Sequence, residues 1–219
     1  MKSIYSDDLG KVYVEYDVGL HVFTIAGGAP SDPRVIESWV RMNLGATTED
    51  EINRLVAQTM IERGIVASEA AEEVAASTKL NGFKRDDKGL YSEGRHAKAM
   101  LKENANISWP KRRWGPSAKG TRGWWAEHVQ VHEDRIHHGR TEADDVHQHF
   151  VHSRYGSSFV YLEVNYDIDV SFTILVDGDN LISDDDWAGL WVRAEQNGLG
   201  ASRSQGYGKF AVTRFDRRG

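Results

Sequence analysis

The sequence predicts an α+β fold, and three observations support this class. Positions 11–25, 159–164 and 169–176 are rich in β-branched and aromatic residues, which is typical of strands. Apolar residues at helical spacing occupy positions 52–61 and 187–194. A chain of 219 residues with 40% hydrophobic residues is long enough to bury one sizeable core, so we expect a single domain.

The periodicity becomes helical after the first predicted strand. Gly45 is placed to end one helix, and Ser68 is placed to cap another. Between them, Thr48 and Glu51 have the spacing of a capping box, which predicts that a further helix begins there. We therefore expect an inserted helical segment at about residues 33–78.

Residues 83–91 predict a hairpin in which Gly89 supplies a positive φ, and residues 95–103 predict a helix. The stretch that follows, about 106–125, mixes Pro, Gly, Lys, Arg and four tryptophans without any period. Such a stretch predicts an extended basic and aromatic loop. The strand pattern resumes at residues 129–132.

The last quarter of the chain predicts a helix, a glycine-rich loop and a final strand. Ser183 is an N-cap, the aspartates at 184–186 suit the positive end of the helix dipole, and Gly198 ends the helix. The inner face of this helix is apolar and consists of Trp187, Leu190, Trp191 and Ala194. The loop at 198–208 then leads into a strand at 209–215.

Composition excludes several classes of function. The chain has no cysteine, which excludes disulfides, thiolate metal sites and cysteine nucleophiles. No stretch approaches the roughly 18 uninterrupted apolar residues that a membrane span requires. An acidic pair follows the first residues in place of an apolar signal core. We expect a soluble cytoplasmic protein with no membrane partner.

The positive charge is concentrated in two segments although the net charge is -6. Any nucleic-acid binding must therefore come from local charge separation. In the first segment Glu103 is the one acid among the cations Arg95, Lys98, Lys102, Lys111, Arg112, Arg113, Lys119 and Arg122. The second segment closes the chain with Arg203, Lys209, Arg214, Arg217 and Arg218.

The order of elements around the glycine-rich loop decides its class. Nucleotide-binding loops run from a strand into a helix, whereas this loop leaves a helix and enters a strand. We therefore predict no nucleotide cofactor. The loop can instead bring main-chain amides close to a phosphate chain, with Ser202, Arg203, Ser204 and Lys209 as further donors. The alternative is a helix C-cap followed by the entry to a hairpin.

Two segments resemble the RAMP superfamily of CRISPR-associated proteins. Residues 199–210, LGASRSQGYGKF, resemble the glycine-rich loop of that superfamily. Residues 91–102, YSEGRHAKAMLK, resemble the segment with which its RNA-binding backbone subunits open their first helix. Gly94, Lys98 and Lys102 match that pattern, and Arg95 and His96 stand where serines are usual.

The resemblance implies a ferredoxin-like (RRM-like) β-α-β-β-α-β core, with the helical segment 33–78 inserted and the loop 106–125 extending from it. It also implies a subunit that binds guide RNA and oligomerises along it. The expected partners are single-stranded RNA and other copies of the chain or other effector subunits. The RNA-binding residues it indicates are Gly94, Arg95, His96, Lys98, Lys102, Ser202, Arg203, Ser204, Gln205, Gly206 and Lys209.

A physical argument adds the segment 109–125 to these residues. Single-strand binding needs cations that contact phosphates and planar side chains on which bases stack, and this segment interleaves the two. The predicted contacts here, besides Trp109, are Lys111, Arg112, Arg113, Trp114, Lys119 and Arg122. The alternative is that the tryptophans are anchored in the core and the cations form a solvated rim.

Two residues are candidates for a catalytic role. Seven of the nine histidines lie between residues 128 and 152, and His137 could act as a general base on an RNA 2′-hydroxyl. Asp32 is the acid nearest to the place where some backbone subunits carry a catalytic aspartate. No full set of metal ligands has a recognised spacing, so we predict no metal site.

Three functions remain open at this point. We expect an RNA-binding protein that is not a nuclease. The first alternative is a RAMP-type endoribonuclease that processes precursor RNA with one of the clustered histidines. The second is a non-catalytic phage or viral assembly protein whose basic segment contacts another protein.

Overall fold

The computed structural model describes residues 13–30, 79–153, 156–177 and 182–218, together with isolated positions between 48 and 58. Asp32 lies outside the described residues, as does nearly all of the inserted segment 33–78. Positions 50, 51, 54, 55 and 58 are helical. The backbone N–H of Glu51 donates to Thr48 Oγ1 at 3.4 Å, as the predicted N-cap requires.

The described chain mixes strands and helices, so the predicted α+β class is confirmed. The strands are β1 Tyr13–Ala26, β2 Ala29–Pro30, β3 Lys79–Gly82, β4 Lys84–Asp86, β5 Gly89–Glu93, β6 Arg113–Trp114, β7 Lys119–Gly120, β8 Val129–Val131, β9 Arg135–His137, β10 Asp145–Ser153, β11 Gly156–Asp177 and β12 Phe210–Arg217. The helices are α1 Gly94–Ser108, α2 Thr121–His128, α3 Asp184–Asn197 and the short 3-10 helix Arg203–Gln205. None of the helices in the described ranges is long and apolar enough to cross a membrane.

The chain divides into two compact units. The first consists of Met1–Ile25, Ser92–His138 and Asp167–Gly219, and the second of Ala26–Tyr91 and Gly139–Tyr166. This division was not predicted from the sequence, because the pieces of the two units alternate along the chain.

In the first unit the strands lie in the order β12, β1, β11, β8. β1 and β12 are antiparallel, from Tyr16 opposite Arg217 to Val22 opposite Phe210. β8 is antiparallel to the end of β11. The two strands predicted at 159–164 and 169–176 form one continuous strand, β11.

Two helices of the first unit use the faces that their apolar spacing predicts. α3 begins with a capping box between Ser183 and Asp186 and ends at Gly198, as predicted. Its buried residues are the predicted four, Trp187, Leu190, Trp191 and Ala194. α1 extends to Ser108, beyond the predicted end at residue 103, and packs against α2 and α3.

The segment 106–125 is not the extended loop that the sequence predicts. It contains the end of α1, the paired strands β6 and β7, and most of α2. Trp114, Trp124 and Trp125 are all at most 2% exposed and pack as a cluster. Because the buried tryptophans come from different short elements, the segment shows no single period.

The second unit is built around the first half of β11. β10 is antiparallel to it, β3 is parallel to it, and β2 pairs with β3. The predicted hairpin at 83–91 is confirmed as β4 and β5. Gly89 has a φ of 105°, and a Cβ there would lie 2.2 Å from the carbonyl oxygen of Arg140, so this turn requires glycine.

One histidine of the first unit is buried next to a hydroxyl group. His138 is 2% exposed, and its Nε2 lies 2.9 Å from Ser92 Oγ. Burial, with a smaller contribution from the charge of His137, lowers the pKa of His138 to about 4. The folded protein therefore holds this ring neutral at a pH where the unfolded chain would protonate it.

We expect His138 to make the protein less stable as the pH falls from 6.5 towards 4. In that range the unfolded chain binds a proton that the folded chain does not, and the loss reaches about 3 kcal/mol at the lower limit. Urea unfolding of the wild type and of His138→Gln, repeated across this pH range, measures this loss of stability. The difference between their free energies of unfolding should shrink as the pH falls. A difference independent of pH would contradict the assignment.

Candidate nucleic-acid interface

The two ends of the glycine-rich loop are held together by main-chain hydrogen bonds. Leu199 N donates to Gly208 O at 2.8 Å, and Gly208 N donates to Thr24 O of β1 at 2.7 Å. Gly208 has a φ of 80°, and a Cβ there would lie 1.9 Å from the carbonyl oxygen of Leu199. The loop therefore closes onto β1 only with glycine at this position.

Some, but not all, of the main-chain amides of the loop already donate within the protein. Gln205 N donates to Ser202 O, and Gly206 N donates to Arg203 O, in the short 3-10 helix. The amides of residues 198, 199 and 208 also donate within the protein. At these positions the predicted contact between amides and phosphates has no free donor. The side chains of Ser204 and Gln205 are exposed, and those of Ser202 and Arg203 are half-buried.

An ion pair joins the loop to α1. Arg203 Nη2 lies 2.7 Å from Glu103 Oε2. Glu103 is the one acid among the cations of the first basic segment, and this pair engages its charge. Arg203 therefore offsets part of the negative charge of Glu103, which then neutralises less of the positive charge of the neighbouring cations on α1.

Lys98 and Lys102 lie one turn apart on α1. Lys98 Nζ donates to Gln130 Oε1 at 2.5 Å. Burial and the nearby charge of Lys102 together lower the pKa of Lys98. Like charges at this spacing repel each other, so an anion placed between them would be stabilised.

Next to these lysines, five residues line a groove of about 240 Å³, namely Lys102, Glu103, Asn106, Ile107 and Arg122. The side chain of Ile107 is exposed and gives the groove an apolar part. Arg122 comes from the first turn of α2. The sequence indicated Lys102 and Arg122 but not Asn106 or Ile107, because the predicted helix ended at residue 103.

The structure separates the predicted cations into two groups. Four are paired with acids: Arg95 with Glu93, Arg112 with Asp186, Lys119 with Glu127 and Arg203 with Glu103. In the described part of the chain, no acid pairs with Lys98, Lys102, Lys111, Arg113, Arg122 or Lys209. The second group is the one available to a polyanion.

Trp114 belongs to the core of the first unit, and the exposed residue Arg112 covers it. Trp114 stacks on Trp124 and donates from Nε1 to Thr121 Oγ1 at 2.9 Å. The guanidinium of Arg112 lies 3.9 Å from the centre of the Trp114 ring and bonds to Asp186 at 2.7 Å. Neither face of this buried indole is open to a base, so the alternative of anchored tryptophans describes Trp114 correctly.

The remaining residues of the predicted α1 segment have local partners. Gly94 N donates to Asp134 O at 2.9 Å, and a Cβ on Gly94 would lie 1.9 Å from Glu133 O. Packing against this carbonyl oxygen therefore requires glycine at position 94. His96 is half-buried, with Nε2 3.9 Å from Glu93.

Four of the clustered histidines have different surroundings within their own units. His137 lies on β9 and His138 is buried beside Ser92. His128 stacks on Trp124 at 4.9 Å, and His147 Nε2 lies 2.6 Å from the hydroxyl of Tyr166. Among the residues that the structure describes, no three His, Asp or Glu side chains are grouped so that they could hold a metal ion.

Comparison with known proteins adds evidence on the fold. No protein-family model matches the chain, and no curated protein matches it in sequence. A chain of the type III-B Cmr-beta complex bound to cognate target RNA matches with a TM-score of 0.52 and 12% identity. The match covers 98% of this chain and 63% of that one, so this chain spans less than two thirds of its length.

Two Cas6 product complexes also match, at 10% and 12% identity. They cover 91% and 90% of this chain and 99% of each Cas6 chain. Their TM-scores of 0.29 and 0.22 are too low to support an argument. The TM-score of 0.52 shows that this chain shares its fold with that chain of the Cmr-beta complex.

We expect Gly208→Ala to destabilise the protein by more than about 2 kcal/mol, because the substitution combines a steric clash with a positive φ. Gly189→Ala is the matched control, since Gly189 lies in α3 with nothing within 4 Å of its Cβ position. That change should stabilise the helix by roughly 0.5–1 kcal/mol. Thermal and urea unfolding measure both. Equal stabilities for the two variants would show that the loop closure is not required.

Proposed function

We propose that this chain is a single-stranded-RNA-binding subunit of a CRISPR effector assembly, and that RNA lies along α1. One observation carries the proposal. Lys102 and Arg122 line one groove, and in the described residues neither has an acid partner. Cations held in this way attract a polyanion even when the net charge of the chain is -6.

The electrostatics of α1 favour a phosphate at this place. Burial and the charge of Lys102 both lower the pKa of Lys98, which means that they destabilise its charged form. A phosphate between the two ammonium groups would remove their repulsion and provide hydrogen-bond acceptors for both. Glu103 also lines this groove, and its pair with Arg203 offsets part of its negative charge.

The proposed core of the first unit is ferredoxin-like. Its elements follow in the order β1, α1, β8, the second half of β11, α3 and β12, which is a β-α-β-β-α-β arrangement. The similarity in fold to a chain of the Cmr-beta complex supports this proposal. That complex is bound to cognate target RNA, which favours RNA as the polyanion here.

Binding of guide RNA and assembly of copies along it are the finer part of the proposal. Both rest on the resemblance of residues 91–102 and 199–210 to RNA-binding backbone subunits. In this proposal Lys98, Lys102 and Arg122 contact phosphates. The exposed cations Lys111 and Arg113 then extend the positive surface beyond the groove.

We expect Lys102→Glu and Arg122→Glu each to weaken binding of single-stranded RNA by about tenfold or more, because each removes a charge-assisted contact. Fluorescence anisotropy of a labelled oligoribonucleotide, titrated at several salt concentrations, measures this. The slope of log K against log salt should fall in magnitude by about 0.7 for each lost phosphate contact.

Lys88→Glu is the control, since it makes the same charge change in the exposed turn between β4 and β5. Its affinity should stay close to that of the wild type. An effect as large as that of Lys102→Glu would mean that only net charge matters and would contradict the groove. A wild-type protein that binds no single-stranded RNA would overturn the proposed function itself.

A further inference from the structure

An aromatic ring lies exposed on β1, at the end where the glycine-rich loop closes. Phe23 is 48% exposed, whereas Trp114, Trp124 and Trp125 are buried. The ring of His21 lies next to it, edge to face, with the ring centres 5.4 Å apart. The two residues are two positions apart on one strand and so share a face of the sheet.

Lys209 lies directly opposite Phe23 in the neighbouring chain segment. Phe23 N donates to Lys209 O at 3.1 Å, one step beyond the pair of Val22 and Phe210. Val22 and Phe210 are buried, while Phe23 and Lys209 are exposed, so the latter two side chains share the solvent face. In the described residues no acid pairs with this lysine.

Two aspartates lie on the other side of the ring. His21 Nδ1 is 2.9 Å from Asp169 Oδ1, and His21 Nε2 is 3.6 Å from Asp167 Oδ1. β1 lies between β12 and β11, so Lys209 and the two aspartates flank the strand on opposite sides. A nucleotide on Phe23 would therefore turn its phosphate towards Lys209 and its base edge, with N–H donors, towards the carboxylates.

We propose that Phe23 is a stacking platform for one base of single-stranded RNA and that Lys209 contacts a neighbouring phosphate. This inference rests on the proposed function, because it assumes that RNA is the bound polyanion. It replaces Trp114, which the sequence indicated as a stacking residue, with an aromatic residue whose ring is open to solvent. Base stacking on an exposed ring suits a protein that binds single strands with little sequence preference.

Phe23→Ala tests the stacking and should weaken RNA binding about 5- to 100-fold. Phe23→Leu keeps apolar volume but has no planar ring, so it should bind as weakly, whereas Phe23→Trp should bind as well as the wild type. Val192→Ala is the matched control, since Val192 is an apolar side chain on α3 that is 69% exposed. Its RNA affinity should not change.

Two further readouts separate stacking from charge. Phe23→Ala should leave the salt slope unchanged, while Lys209→Ala should lower its magnitude by about 0.7. An oligonucleotide of abasic ribose phosphates should bind the wild type and Phe23→Ala equally, because the base that Phe23 would contact is missing. Binding that is still weaker for Phe23→Ala on the abasic strand would overturn the inference.

The outcomes distinguish this inference from the proposed function. If the wild type binds no RNA, the proposed function fails and the inference fails with it. If Lys102→Glu weakens binding but Phe23→Ala and Phe23→Leu do not, the inference alone is overturned. It is also overturned if Phe23→Ala reduces self-association of the protein while RNA affinity stays the same, since the face would then contact another copy.

Discussion

The closure of the glycine-rich loop onto β1 is the constraint on which the candidate interface depends. Gly208 accepts from Leu199 and donates to Thr24, and this pair of bonds fixes where the last strand begins. The register of β12 against β1 follows, and with it the position of Lys209 opposite Phe23. The closed loop also carries Arg203, which reaches Glu103 on α1. One turn of main chain thus positions Lys209 beside the sheet and joins the loop to α1 through Arg203.

The basic segment of the sequence serves two physical purposes. Part of it stabilises the fold, as Arg112 does by covering Trp114 and bonding to Asp186 at the start of α3. The other part has no acid partner among the described residues, as is the case for Lys102 and Arg122 in their groove. Charge density along a sequence does not distinguish these purposes, because an ion pair depends on which acid lies nearby in space. The partner of Arg112, for example, is 74 residues away.

Signals within a short stretch of sequence predicted α3 well. Elements that depend on packing between residues distant in sequence were predicted less well. The Ser183 cap, the apolar face and Gly198 all act within one helix, so the sequence alone determined its bounds. The segment 106–125 depends on tryptophans that meet from different elements, and its hairpin carries no period of its own. Phe23 was counted only as a strand residue, since apolar and aromatic residues occupy both faces of β1. The groove on α1 was predicted in part, because the sequence indicated Lys102 and Arg122 while Asn106 lies past the predicted end of the helix.

Photo-crosslinking tests the central claim, that RNA lies along α1 and the closed loop, most directly. A single-stranded RNA containing 4-thiouridine would be bound at low salt, irradiated and digested, and the modified peptides identified by mass spectrometry. The account predicts crosslinks in the peptides that contain residues 98–107, Arg122 and Phe23. Crosslinks confined to the second unit, or a pattern that survives unchanged in Lys102→Glu, would contradict it.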